Sequence, residues 1–190
     1  HATLASAYVL FHILEPGRTE FRFETLSGTL TVNADCERLV MDFPRWTLEL
    51  MDSVPKELAR ALRATPKQVF AVKEGGNFFA VFASERDVLS LQPDFKDLAS
   101  LEAGVIATAP GEQSDCVVRY FAPAYGIDED PGTGSIHCAL TPYRADRLKK
   151  NTMYSRQLSA RGSELHCELK GNRVEIAGHA VKYFEGSIEV

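Results

Sequence analysis

Residues 120–143 read YFAPAYGIDEDPGTGSIHCALTPY, and the changes of pattern inside this stretch decide the fold. Residues 116–121 form an apolar run of strand length. Pro123, Gly126, Pro131, Gly132 and Gly134 then force a loop, and residues 135–140 open a helix that extends over 136–148. Glycines ahead of a helix let the backbone aim its free N–H groups at a ligand. Together with the helix dipole they make an anion site. Asp128, Glu129 and Asp130 stand just before it. Carboxylates beside an anion site suit proton transfer near a bound carboxylate better than plain binding. Asp130 is the leading candidate, and Glu129 ranks second because neighbours on an extended chain point apart. Ser135 fits a ligand contact and a plain helix N-cap equally.

Working outward, residues 1–14 (HATLASAYVLFHIL) read as a helix apolar on nearly all sides, ended by Pro16-Gly17 and expected to be central in its domain. Phe21-Arg22-Phe23 and Leu30-Thr31-Val32 alternate around Leu26-Ser27-Gly28 as a hairpin, and residues 39–43 make a further strand stopped by Pro44. An amphipathic helix over 56–64 opens a second lobe. Strands at 69–72 and 78–83 flank Glu74-Gly75-Gly76-Asn77, short helical pieces cover 87–91 and 95–101, and strands follow at 105–109 and 116–121. Residues 157–190 hold three or four strands punctuated by Gly162, Gly171, Gly178 and Gly186. His1 and Ser135, Gly28 and Gly162, and Val40 and Val174 each stand 134 residues apart, which points to one architectural unit used twice.

The 190 residues, 45% hydrophobic, are enough for a substantial core in one or two lobes. A net charge of −5 with scattered basic residues argues against a nucleic-acid surface. No apolar run approaches the roughly 20 residues of a membrane helix. Four well-separated cysteines and no signal-peptide pattern are read as reduced thiols in a cytoplasmic protein.

The motifs Tyr120-Phe121-Ala122-Pro123-Ala124-Tyr125-Gly126, Glu129-Asp130-Pro131 and Thr133-Gly134-Ser135 resemble the signature of the phenazine-biosynthesis-like (PhzF-like) isomerase family, of the diaminopimelate-epimerase fold. His1-Ala2-Thr3-Leu4-Ala5 resembles its other signature, normally preceded by Gly. The likeness runs the length of the chain. It implies an α+β fold of two pseudo-repeated lobes, each a curved, mostly antiparallel, barrel-like sheet around a central helix. The first lobe would be residues 1–54, with a final strand at 182–190 returning to it, and the second residues 55–181. The active site would lie between the helix N-termini at His1 and Ser135. The resemblance makes Asp130 and His1 catalytic and gives Gly132, Thr133, Gly134 and Ser135 to a substrate carboxylate. It implies cofactor-independent proton transfer on a small carboxylate-bearing substrate, with dimers common. It also places the principal proton-carrying Glu in an N-terminal segment ahead of His1. A non-catalytic binding protein of the same fold and an amino-acid racemase or epimerase are the alternatives.

Two-thiol epimerase chemistry is disfavoured, because the two helix starts read His1-Ala2-Thr3 and Thr133-Gly134-Ser135 and Cys138 is expected to pack. His137-Cys138 and His166-Cys167 invite a metal test, but adjacent strand residues face opposite sides, so no metal is expected. His12 and His179 are read as structural or solvated.

Overall fold

The computed structural model describes all residues except Ser27, Cys36, Glu37, Ile188 and Val190. Helix α1 (Ala2–Val9) continues through a wider turn at Leu10–Leu14 and is followed by strands β1 (Glu20–Thr25), β2 (Gly28–Asp35) and β3 (Arg38–Pro44). Alternation puts Phe21, Leu30, Val32, Leu39 and Met41 on one buried face. α1 and the wider turn after it lay Leu4, Ala7, Tyr8 and Phe11, spaced at helical turns, on that face. It is not enclosed as its composition suggests: Val9, Ile13 and Leu14 are exposed, because only one flank meets the sheet.

The chain continues with β4 (Leu48–Leu50), α2 (Lys56–Leu62), β5 (Gln68–Val72), β6 (Asn77–Val81), α3 (Glu85–Leu89), α4 (Phe95–Ala99), β7 (Val105–Ala109) and β8 (Cys116–Ala122). α2 stops before residue 64 because Arg63 turns left-handed, with φ 52°. One sheet face packs Leu58, Leu62, Val88 and Leu98 of α2–α4 against Val69, Ala80, Val105 and Phe121. The loop expected after β8 contains a short strand, β9 (Ile127–Glu129), paired antiparallel to β8 across an irregularity at Phe121 and Ala122.

On the opposite face lies α5 (His137–Leu148), whose residues from His137 to Ala145 are all buried. Ile136, Ala139, Leu140 and Tyr143 meet Phe79, Ile106 and Val118, while Cys138 and Ala145 join the core shared with α1. Pro142 sits mid-helix without breaking it. Proline lacks the N–H that would bond the carbonyl four residues back, and that carbonyl, Cys138 O, instead accepts from the Trp46 N–H at 2.9 Å. The β3–β4 connection is thereby tied to the central helix.

β10 (Thr152–Gln157), β11 (Ser163–Lys170) and β12 (Arg173–Gly178) complete a mixed twelve-strand sheet of order β1-β2-β3-β12-β11-β10-β8-β7-β6-β5-β4, with β9 beside β8. Among the described residues, β6–β7 and β8–β10 are the parallel pairs. The sheet is open, ending at β1 and β4. β3 and β12 join the two repeats, and Met41 pairs with Ile176. The repeat is therefore present, but its register in β2–β3 against β11–β12 is one residue beyond the sequence anchors. Buried Leu39 and Met41 match buried Val174 and Ile176, whereas half-buried Val40 does not match Val174.

The expected strand over 182–190 is absent from residues 181–187 and 189; Ile188 and Val190 lie outside the described residues. The free edge of β1 carries no added strand among the described residues. Val181, Tyr183 and Phe184 are exposed. β1 and β2 pair antiparallel down to Thr25 and Gly28, as expected of a hairpin, and Ser27 lies outside the described residues. No helix among the described residues is long and apolar enough to cross a membrane.

Candidate functional site between the helix N-termini

The three acids of the central loop have three different environments. Asp128 is exposed. Glu129, pointing the other way from β9, takes the Arg119 guanidinium in two bonds of 2.8 Å, from Nε to Oε1 and from Nη2 to Oε2. Arg119 Nη1 also donates to Leu91 O at 2.8 Å, so this half-buried pair fastens the loop to the end of α3. Asp130 turns back on its own loop: Oδ2 accepts from the Thr133 hydroxyl at 2.6 Å and Oδ1 from the Gly132 N–H at 3.3 Å. Its own N–H donates to Tyr120 O at 3.0 Å.

Gln157, buried at the end of β10, holds the other side of the loop. Its Nε2 donates to Asp130 O at 2.6 Å and its Oε1 accepts from the Thr133 N–H at 2.7 Å. Beneath it, His137 Nδ1 lies 3.0 Å from Thr133 O and Nε2 lies 2.9 Å from Ser155 Oγ. A carbonyl can only accept, so Nδ1 carries the proton and Nε2 accepts from Ser155. Burial pushes the His137 pKa down to about 4, and the ring is neutral in the fold. This chain of bonds from Ser155 to Asp130 fixes the backbone that leads into α5. The Tyr120 hydroxyl, pushed up to about 12 by burial, donates to Asn77 Oδ1 at 3.0 Å and anchors the strand before the loop.

At the head of α5, the N–H groups of Gly134, Ser135 and Ile136 have no acceptor among the described residues. Ser135 is exposed and makes no capping bond, so the N-cap reading of its hydroxyl does not hold. Beside this turn a cavity of about 200 Å³ brings His1 of the α1 N-terminus together with Gly132 and Gly134, over an apolar floor that includes Leu4, Met41, Leu165 and Ile176. Asp130, Thr133 and Ser135 do not line it. Gly134 would meet nothing within 4 Å if it carried a Cβ, leaving open space at the helix start. Gly132 is crowded instead: its Cβ would lie 3.0 Å from Arg161 Nη2 and 3.1 Å from Ser163 Oγ.

Arg161, Ser163, Gln157 and His137 are the participants that sequence reasoning missed. Arg161 and Ser163 flank Gly162, which marks the β10–β11 turn and was the only local signal. His137 came under scrutiny only as a metal ligand, yet both ring nitrogens are spoken for. Among the described residues no group of three His, Cys, Asp or Glu is placed to hold a metal. Burial pushes the thiols of Cys138 and Cys167 up to about 12, as expected of packed rather than reactive cysteines.

The family model described as phenazine biosynthesis-like protein matches residues 1–186. Two proteins named uncharacterized isomerases, both from Pseudomonas aeruginosa, are 47% and 38% identical to this chain, each alignment covering all of it and 72% of the relative. A PhzF-family phenazine biosynthesis protein from Enterococcus faecalis superimposes with a TM-score of 0.92 at 37% identity, over all of this chain and 72% of that one. The site between two helix N-termini thus sits in a chain that belongs to the phenazine biosynthesis-like (PhzF-like) protein family.

Proposed function

We propose that this chain carries the ligand cavity of a cofactor-independent isomerase that moves a proton between positions of a small carboxylate-bearing substrate. The observation that carries the reading is the cavity itself. It joins His1 to Gly132 and Gly134 at the place where α5 leaves three N–H groups without acceptors. Of these, the Gly134 N–H stands on the cavity wall and helps receive the substrate carboxylate. His1 relays or orients a proton from the facing helix. Asp130 orients the binding turn through Gly132 and Thr133. Enclosure in the cavity would bring a carboxylic acid placed there toward the near-neutral pKa that acid–base catalysis needs. The isomerase names of the relatives support this reaction class.

A binding protein of the same fold is the second reading. It is favoured by Asp130, whose two carboxylate oxygens are both engaged within its own loop. One experiment separates them. The intact protein is incubated in deuterium oxide with a panel of dihydrobenzoate isomers, and deuterium uptake is followed by mass spectrometry. Catalysed uptake that falls by at least about tenfold in Asp130→Asn supports the isomerase with Asp130 in its machinery. Uptake unchanged in that variant removes Asp130 from the mechanism. Saturable binding of the panel with no uptake favours the binding protein.

A further inference from the structure

Resting on the reading above, we propose that Arg161 is the specificity-determining residue of this cavity: its guanidinium, aided by the Ser163 hydroxyl, takes the substrate's carboxylate and rejects neutral analogues of the same shape. Arg161 Nη2 and Ser163 Oγ converge on the bare Cα of Gly132, and all three residues line the cavity with His1 and Gly134. Arg161 makes no hydrogen bond or ion pair among the described residues, although its turn is well fixed. Ser159 Oγ donates to Pro131 O at 2.7 Å, and the Gly162 N–H donates to Ser159 Oγ at 3.1 Å. Ser163 Oγ is shut off from solvent and has no partner. A buried hydroxyl left unbonded destabilises a fold; a carboxylate oxygen on Gly132 would satisfy it.

The planar guanidinium fork matches a carboxylate in two parallel bonds, and the unbonded Gly134 N–H stands on the same cavity wall. The absence of a side chain at Gly132 is what leaves room for this convergence, since its φ is not in the left-handed region. Glu164 is the lining carboxylate among the described residues, and it follows Ser163 on β11, so it projects to the other face of the strand and toward the Tyr154 hydroxyl.

The test is a calorimetric titration of the intact protein with benzoate and with benzamide, repeated for Arg161→Gln, Arg161→Lys and Ser163→Ala. The wild type should prefer benzoate by at least about tenfold, and Arg161→Gln should erase that preference. Arg161→Lys should restore part of it, and Ser163→Ala should weaken benzoate by only about threefold. Thermal midpoints should stay put in both Arg161 variants, because the side chain is exposed and bonded to nothing among the described residues. Benzoate held equally by wild type and Arg161→Gln, while still shifting the amide resonances of Gly132 and Gly134, overturns the role of Arg161 and leaves the cavity reading intact. Benzoate that shifts neither glycine overturns both.

Discussion

The α1 half and the α5 half of the central sheet follow the same path of one helix and three antiparallel strands, and they meet strand to strand where Met41 pairs with Ile176. Their interiors differ. Ala7 is the one fully enclosed residue within α1, whereas α5 is buried from His137 through Ala145. On the first strand of the α1 half the inward face carries Phe21 and Phe23. On the corresponding strand of the α5 half it carries Met153, Ser155 and Gln157. Ser155 and Gln157 do not merely fill space: one holds His137 and the other holds both Asp130 and Thr133. The difference teaches how a repeated unit is specialised. Apolar contacts suffice to pack a helix on a sheet, but a backbone turn that must present N–H groups to a ligand needs directional bonds at its base.

The largest effect that could break this comparison is a pair of truncations. Leu140→Ala in α5 should cost about 2–5 kcal/mol in denaturant unfolding, because it opens a cavity in a closed core. Leu14→Ala at the exposed end of the first helical segment should stay within about 0.5 kcal/mol. Equal losses would mean the two helices are not differently embedded.

Next in size is a pH effect confined to the α5 half. Burial holds the folded pKa of His137 at about 4, below the ordinary histidine value of 6.5. Between those values the unfolded chain binds the extra proton, so stability rises with pH there and is lost on acidification from 6.5 toward 4. The loss should approach about 3 kcal/mol. Unfolding curves across that window measure it, and His137→Gln should remove this component of the slope. A variant as acid-sensitive as the wild type would contradict the buried neutral ring.

Smaller still is Gln157→Leu, which leaves the Thr133 N–H and the Asp130 carbonyl without this partner. It should cost about 1–3 kcal/mol and also weaken benzoate binding through the disordered turn. Lost stability with unchanged benzoate affinity would detach the bonded base from the ligand site.

How much of this was legible in the sequence follows the same division. β7 and β8 read correctly because Val105–Ala109 and the run from Cys116 are continuously apolar. The loop and the helix at 136–148 followed from Gly and Pro spacing, even with Pro142 inside the helix. β10 was placed too late because its buried face is part polar, so period-two hydrophobicity fades at Ser155 and Gln157. β9 was hidden inside the glycine- and proline-rich loop, where Arg119 holds Glu129 from another strand. The location of Asp130 was readable, but its orientation was not, since that depends on Thr133 and Gln157. Arg161 had only its place beside Gly162 as a signal; it reaches Gly132 through the folding of the β10–β11 turn.

The central claim is that ligands enter between the two helix N-termini. The most direct measurement is a ¹H–¹⁵N correlation spectrum of the intact protein titrated with benzoate. The account predicts the largest shifts at Gly132, Gly134, Ser163 and the first turn of α1. Shifts gathered instead around Arg45, Trp46, Phe70 and Arg147, which line a separate groove at the other side of α5, would contradict it.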